Sequence, residues 1–412
     1  MNQKVVATKV IHILTALCFL VYFTSYVTRI NYTAIISEII QEEGILKSTA
    51  SIVTMVSFVS YGIGQLISGY IGDRMSPKLL IFGGLIISSV LNILMPVVGN
   101  IEAMAIIWFL NGFAQAMIWP PMVRILSAYL KRDDYNNACV TVMIASSLGT
   151  IAVYLLSPLI ISISSWKAVF WIAGIIGISI SLFWIWGANK IEQYVVKNGI
   201  TEITTINSSI RSGTTIRSLI IPSGFIFIIM AIILQGTLKD GVTTWMPSYL
   251  IETFQLKSSV SIFSTVVLPI FSIFCLKLTA YIQRRYIKNE LICSAIIFFT
   301  GFAASIALSV FSSYHAVVSI ILAAIITGCM FGINLILIGL IPNRFEHTGK
   351  VAYISGIMNF FTYVGSALSS YGIAKISENY GWQFTITSWA VIALLGACVC
   401  FLCAYRWKKF CK

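Results

Sequence analysis

Apolar runs long enough to cross a membrane recur along the whole chain, and they constrain the fold more than any other feature. A helix rises about 1.5 Å per residue, so ~20 apolar residues span the hydrocarbon core of a bilayer. Within that core, backbone polar groups must be paired inside the segment, which favours helices. We find twelve runs: 9–38, 47–72, 78–98, 102–130, 137–164, 168–188, 218–252, 258–282, 289–312, 315–342, 348–377 and 383–406. The sequence predicts an all-α membrane protein with twelve transmembrane helices.

Composition supports this class and argues against others. Hydrophobic residues make up 58% of the 412 residues and charged residues only 10%. The net charge of +13 is explained by basic residues that flank membrane spans, so we expect contact with membrane lipid and no nucleic-acid partner. The chain carries no paired carboxylates, nucleophile elbow or phosphate-binding loop, so we expect neither an enzyme nor a resident cofactor or metal.

The longest connection between apolar runs divides the chain six plus six. Residues 189–217 are polar and rich in Ser and Thr. We therefore predict an N-terminal six-helix half over 1–188, a cytoplasmic linker over 189–217 and a C-terminal six-helix half over 218–412. Such a pair of pseudo-symmetric halves is typical of major facilitator transporters.

The distribution of Lys and Arg predicts the orientation. Nineteen of these residues fall on one side of the predicted spans and four on the other. Cytoplasmic loops carry the excess of positive charge, so we expect both termini and the linker in the cytoplasm. The expected location is a bacterial inner or cytoplasmic membrane, and the expected state is a monomer.

Two cations lie deep in equivalent spans, Arg29 in the first and Lys239 in the seventh. A charge in mid-membrane costs about 2.5–3.5 kcal/mol on insertion scales and normally marks a pathway or a substrate. Counted from the nearest basic residue before each, the two lie at similar depth. Asp240 is the one acidic residue deep in a span and cannot neutralise both. The pattern predicts an anion site, with pairing to a carboxylate as the alternative.

Other polar residues share helical faces with these cations. Tyr22, Tyr26 and Arg29 follow at spacings of four and three, and Tyr61 and Gln65 are four apart. Adjacent helix positions point about 100° apart, so we expect Lys239 and Asp240 to address different points.

The loop "GYIGDRMSPK" (69–78) predicts an inside-facing gate. It resembles the G-x-x-x-D-R-x-x-[RK] loop of the major facilitator superfamily, with one extra residue before the last basic position. We expect Asp73 to pair with a cation of a neighbouring helix, Arg124 being the candidate, and Arg74 to belong to the same gate.

Four further stretches resemble the organophosphate:phosphate antiporters, the branch of glycerol-3-phosphate and hexose-phosphate transporters. "NGFAQAMIWPPMVRIL" (111–126) is similar to that family's fourth-segment motif, "YVTRINY" (26–32) to its first-segment arginine motif, and "LKDGVTTWMPSYL" (238–250) to its seventh-segment motif. "FTYVGSALS" (361–369) matches in segment eleven and contains Tyr363. The resemblance covers nearly all of the chain.

The resemblance implies the major facilitator fold and a phosphate-ester site containing Arg29 and Lys239, with inorganic phosphate as the exchanged partner. Helical spacing beside the buried arginine predicts Tyr22, Tyr26, Tyr61 and Gln65 at the substrate, and the resemblance adds Ser146 and Tyr363. Ser146 stands where the well-studied branch has a histidine, Gln65 where it has a lysine and Phe331 where it has a tyrosine. These departures leave open the substrate and any proton coupling.

The predicted function is secondary transport of a small phosphorylated metabolite of the glycerol phosphate, sugar phosphate or phosphoglycerate class. Exchange for inorganic phosphate by alternating access is the expected mechanism. Two alternatives stay open: symport of a non-phosphorylated organic anion such as a sugar acid, and a membrane sensor of sugar phosphate. Asp240 is a candidate for coupling, either as a partner of a cation or as a proton carrier.

Overall fold

The computed structural model describes residues 5, 7–44, 47–198, 223–256, 266–311, 315–348 and 350–411, and these residues form helices and short connections without a strand. The α-helices are α1 (Thr8–Ala34), α2 (Ile36–Glu43), α3 (Lys47–Gly72), α4 (Pro77–Leu94), α5 (Ile101–Ala116), α6 (Trp119–Tyr129), α7 (Arg132–Ile163), α8 (Trp166–Lys197), α9 (Phe225–Phe254), α10 (Val267–Arg285), α11 (Glu290–Phe311), α12 (Ala316–Asn334) and α13 (Val351–Phe410).

Twelve stretches of the described chain are long and apolar enough to cross a membrane, running from Thr8–Ala34 to Asn379–Phe410. The predicted count and helical class are therefore confirmed. The last two spans both lie in α13, which is broken at Gly381, where φ of 74° and ψ of 175° interrupt the helix. Glycine reaches this positive φ without the Cβ clash that other residues would meet.

Contacts divide the chain into two compact units. The first comprises Met1–Arg211 and Phe345–Phe360, and the second Ser212–Arg344 and Phe361–Lys412. The predicted halves 1–188 and 218–412 stay a prediction, because the first turns of α13 group with the first unit.

Helix α8 extends into the predicted linker. Helix α8 continues to Lys197, nine residues past the predicted end of the sixth span. Two apolar side chains of this extension, Ile191 and Val195, are buried, and Glu192 pairs with Lys78. The segment reads as polar, but its burial and its ion pair keep it helical. Residues 199–217 of the predicted linker lie outside the described part of the chain.

Two spans are discontinuous. The fourth ends one helix at Ala116 and starts the next at Trp119, where Pro120 and Pro121 lack the N–H needed to continue the hydrogen-bond ladder. The tenth passes from α12 into a π-helical turn over Leu335–Leu340 and then a 3₁₀ stretch. Breaks of this kind free backbone carbonyls inside a membrane protein and accompany binding sites in transporters.

An aromatic core closes one end of the first unit. The Trp108 ring lies 5.7 Å from that of Tyr32 and 5.6 Å from that of Phe170, which meets Trp166 at 5.8 Å. The Tyr32 hydroxyl donates to the Ala50 carbonyl at 3.0 Å, so its polar end is satisfied in this buried setting. The ring contacts connect α1, α5 and α8, and the hydrogen bond of the Tyr32 hydroxyl connects them to α3.

In the second unit, a buried carboxylate joins the ends of several helices. Glu290, 3% exposed at the start of α11, pairs with Arg344 and accepts a hydrogen bond of 3.0 Å from the Trp407 indole. The neighbouring Asn289 side chain accepts from the N–H groups of Leu291 and Ile292, which completes the helix N-terminus.

Two adjacent glycines of α4 give a test of helix packing. A Cβ built on Gly84 would lie 2.6 Å from the Ala114 carbonyl oxygen of α5, whereas one on Gly83 would meet nothing within 4 Å. We expect Gly84→Ala to lower stability by about 1–3 kcal/mol through overpacking, and Gly83→Ala to be neutral or slightly stabilising. Thermal unfolding of the two purified variants in detergent measures the difference; equal midpoints would contradict the close approach of α4 and α5.

Candidate functional site

The first cluster of predicted site residues forms around Arg29 in the first unit. The guanidinium carbon lies 4.2 Å from the centre of the Tyr26 ring and 4.7 Å from that of Tyr61. The Tyr22 ring lies edge-on to Tyr26 at 5.3 Å. Cation–π contacts of this length contribute about 0.5–2 kcal/mol each, more when desolvated. The structure thus brings these four residues together, and aromatic faces partly offset the cost of the charge.

The broken fourth span borders this cluster. Trp119, the first residue of α6, lies 5.0 Å from Tyr22 ring to ring. Gln65 is fully buried, and its side-chain N–H donates to the Ala116 carbonyl at 3.4 Å. That carbonyl ends α5, so the amide of Gln65 satisfies an acceptor that the break exposes.

Ser146 lies on the face of α7 that packs against α1. One turn further on, a Cβ on Gly149 would meet the Phe23 carbonyl oxygen at 2.8 Å and the Tyr26 Cβ at 2.9 Å. Ser146 is buried, and its hydroxyl donates to the Met143 carbonyl of its own helix at 2.6 Å.

The second cluster lies in the second unit and corrects one expectation. Lys239 and Asp240 were predicted to diverge, but the lysine Nζ lies 2.8 Å from a carboxylate oxygen of Asp240. The four-carbon lysine stem is long enough to bring the ammonium back across the helix surface to its neighbour. The other carboxylate oxygen accepts a hydrogen bond from the Ser366 hydroxyl, and Nζ lies 5.5 Å from the centre of the Phe331 ring.

The cations occupy different positions along their helices. Arg29 is the 22nd residue of α1, whereas Lys239 is the 15th of α9. Measured along the helix axis from the first residue of each helix, Arg29 therefore lies about 10 Å further on than Lys239. The difference arises because α9 begins at Phe225 rather than at the predicted residue 218. Tyr363 is half-buried on α13, three residues before Ser366 and so on the same side of that helix.

A carboxylate of the predicted gate loop caps the N-terminus of α13. The Asp73 carboxylate accepts hydrogen bonds from the backbone N–H groups of Ala352, at 3.0 Å, and Tyr353, at 2.8 Å, in the first turn of α13. These are donors that a helix leaves unpaired, and the positive end of the helix dipole favours the carboxylate.

The two arginines near Asp73 take different roles. Arg124 donates to the carbonyls of Gly72 and Met75, on either side of the aspartate, and its charge favours the ionised carboxylate. Arg74 is exposed, and its guanidinium lies 3.5 Å over the Tyr70 ring. Burial outweighs these effects and raises the pKa of Asp73 to about 6.

Sequence reasoning missed one buried polar network in the first unit. Its members share complete burial and lie on α1, α4 and α5: Thr28, Asn31, Ser88, Asn92, Asn111 and Gln115. A signal for it exists in the sequence, because the polar residues recur at spacings of three or four inside apolar runs. No group of three or more His, Cys, Asp or Glu residues that would hold a metal occurs in the described ranges.

Twelve apolar spans in the described part of the chain, with the fourth and the tenth broken, define a polytopic membrane protein. The Major Facilitator Superfamily model matches residues 18–370, and the chain belongs to this superfamily. It is therefore a membrane transport protein rather than an enzyme.

Full-length relatives narrow the branch. The "Probable hexose phosphate transport protein" of Chlamydia pneumoniae is 23% identical over 401 residues, with 92% of this chain and 88% of that one covered. The "Glycerol-3-phosphate transporter" of Bacillus subtilis is 25% identical over 412 residues with the same coverage. The "Membrane sensor protein UhpC" of Escherichia coli is 21% identical over 385 residues, covering 90% of this chain and 87% of its own. The resemblance to the organophosphate:phosphate antiporter family is confirmed.

A solved structure agrees on the fold. The proton:xylose symporter XylE, bound to 6-bromo-6-deoxy-D-glucose, superimposes with a TM-score of 0.73 at 12% identity, covering 99% of this chain and 97% of that one. At this identity the likeness establishes the major facilitator fold.

Titration of Asp73 gives a pH test. An aspartate whose pKa is raised from 3.8 to about 6 by burial makes the folded state bind its proton more tightly than the unfolded chain. Its ionisation therefore destabilises the fold progressively as pH rises from about 4 through 6. We compare the thermal unfolding midpoints of the wild type and Asp73→Asn at each pH. As the pH rises from 5 to 8, we expect the midpoint of the wild type to decrease relative to that of the variant. Asp133→Asn, at an exposed position, serves as the control. A difference in unfolding midpoint between the wild type and Asp73→Asn that stays constant from pH 5 to pH 8 would contradict the raised pKa.

Proposed function

We propose that this protein carries a small phosphorylated metabolite across the membrane in exchange for inorganic phosphate, by alternating access. The observation that carries the proposal is Arg29, a guanidinium inside a membrane helix with two tyrosine rings around it. The relatives named for hexose phosphate and glycerol-3-phosphate transport support the substrate class.

An anion explains the chemistry around Arg29. The rings of Tyr26 and Tyr61 lie within cation–π distance of the guanidinium and stabilise its positive charge. A planar guanidinium donates two parallel N–H bonds to a phosphate, and such charge-assisted bonds are about twice as strong as neutral ones. Nearby tyrosine hydroxyls supply further donors.

Lys239 is the corresponding cation of the second unit. Its ammonium is held by Asp240, so its charge is compensated before an anion arrives. A phosphate group that replaces or shares this carboxylate binds a cation already desolvated and positioned. Asp240, anchored by Ser366, then acts as the counter-ion of the empty site.

Alternating access needs contacts that form in one state and break in another. The Asp73 carboxylate on the first turn of α13 joins residues that are 279 and 280 positions apart in sequence and is our candidate for such a contact. We propose that this interaction, with Arg74 and Arg124 beside it, stabilises one conformation of the transport cycle. The proposed setting is a bacterial inner membrane, with cytoplasmic termini and a monomeric chain.

A sensor of sugar phosphate is the second candidate, favoured by the similarity to the sensor UhpC. Both functions use an anion site, so binding alone does not separate them. Purified protein in phosphate-loaded liposomes does: a transporter exchanges internal phosphate for external labelled ester at many turnovers, whereas a dedicated sensor binds without net exchange. A parallel panel of sugar acids tests the non-phosphorylated alternative.

The cation at position 29 gives the central prediction. We expect Arg29→Ala to abolish phosphate exchange, and Arg29→Lys to lower it by about 10- to 100-fold, because a lysine lacks the paired, planar donors. Lys239→Arg is expected to retain most activity. The control is Arg285→Lys, an exposed arginine in the last turn of α10. Wild-type exchange by Arg29→Ala, at normal expression, would remove Arg29 from the site.

Replacement of Asp240 is expected to lower the KM for phosphate rather than to impair exchange. Asp240→Asn removes the carboxylate that competes with the anion for Lys239, so we expect the KM for phosphate to fall by about twofold to fivefold, on the order of one surface charge pair. Ser366→Ala keeps the charge and is expected to change KM less. An unchanged KM with loss of the response to an imposed proton gradient would instead make Asp240 a proton carrier.

A further inference from the structure

The face of α1 opposite Arg29 is embedded in buried hydrogen bonds. The Thr28 carbonyl, one residue before Arg29, accepts side-chain amides from Asn92 of α4, at 2.8 Å, and Asn111 of α5, at 3.1 Å. The Thr28 hydroxyl accepts from Gln115, also of α5, at 2.7 Å. Two helices therefore hold the same residue of α1 through directional bonds.

The rest of the network links these donors to one another. Asn31 donates to Asn92 at 2.7 Å, Ser88 to Asn111 at 2.6 Å, and Gln115 to Ser88 at 2.7 Å. All of these side chains are at most 2% exposed. A chain of bonds through α1, α4 and α5 closes on itself around the Thr28 carbonyl and hydroxyl.

Helix geometry couples this network to Arg29. At about 100° per residue, Thr28 and Asn31 fall within one narrow arc of α1, whereas Tyr26 and Arg29 fall within another roughly 160° away. A rotation of α1 that breaks the bonds to Thr28 swings the guanidinium by the same angle. The bonds on one face thus set the direction of the charge on the other.

Stability alone is a poor reason for so many buried polar groups. Each interhelical hydrogen bond in a membrane contributes little net stability, since the unfolded helices also find partners. Apolar packing tolerates small rotations and shifts of a helix, whereas an amide donor meets a carbonyl in few arrangements. The network therefore fixes the rotation of α1 about its own axis and its position along that axis.

We infer that the network centred on Thr28 positions Arg29 for the substrate anion, with Gln115, Asn92 and Asn111 as positioning residues that never contact it. The inference rests on the proposed function, because it assigns Arg29 to the anion. It goes further by placing part of the affinity in residues on the far side of α1 and on α4 and α5.

The test compares two fully buried threonines. Thr28→Val removes a hydroxyl that accepts from another helix, whereas Thr385→Val removes one that donates to the Gly381 carbonyl of its own helix. We expect Thr28→Val to raise the KM for inorganic phosphate by about three- to tenfold, as the loss of one or two such bonds allows, with maximal exchange largely kept. Thr385→Val should leave KM unchanged. Unfolding midpoints of both variants show whether stability accounts for the difference.

Two further variants make the result decisive. Thr28→Ser keeps the hydroxyl and should restore the wild-type KM. In the Arg29→Lys background, Thr28→Val should add little, because the planar group it orients is gone. Equal KM for wild type and Thr28→Val, or the same increase with and without Arg29, overturns the positioning role. Full activity of Arg29→Ala would instead overturn the proposed function, so the two failures are distinct.

Discussion

The guanidinium of Arg29 lies inside an apolar helix, and the packing around it in the first unit must offset the cost of its charge. Placing Arg29 there costs free energy, which the structure offsets in stages. Tyrosine faces surround the charge, the broken fourth span lies beside them with Trp119 against Tyr22, and a polar network holds the opposite side of α1. The aromatic contacts make the charge tolerable, and the network makes its direction definite.

The second unit handles its cation differently. Lys239 keeps a carboxylate partner on the next residue, so the pair carries little net charge. Arg29 lies against the ring faces of Tyr26 and Tyr61, which attract a positive charge. The two units thus place their cations in different surroundings, one against aromatic rings and the other against a carboxylate.

The sequence allowed the fold to be predicted almost completely, because twelve apolar runs of membrane-spanning length leave few alternatives. The stripe of Tyr22, Tyr26 and Arg29 was equally readable from helical spacing. The pairing of Lys239 with Asp240 was not, since periodicity gives the direction of a Cβ and not the reach of a flexible side chain. The end of α8 was missed because burial and an ion pair, both tertiary, keep a polar segment helical.

The contact made by Asp73 has a consequence for how this chain tolerates change. Its partners on α13 are main-chain N–H groups, so the side chains of residues 352 and 353 do not enter the bond. The two hydrogen bonds themselves exclude only proline at these positions, whereas packing also restricts residue 352, because the Ala352 side chain is fully buried. Asp73 is thus required for its carboxylate, and its two partners are required for the position of their main chain.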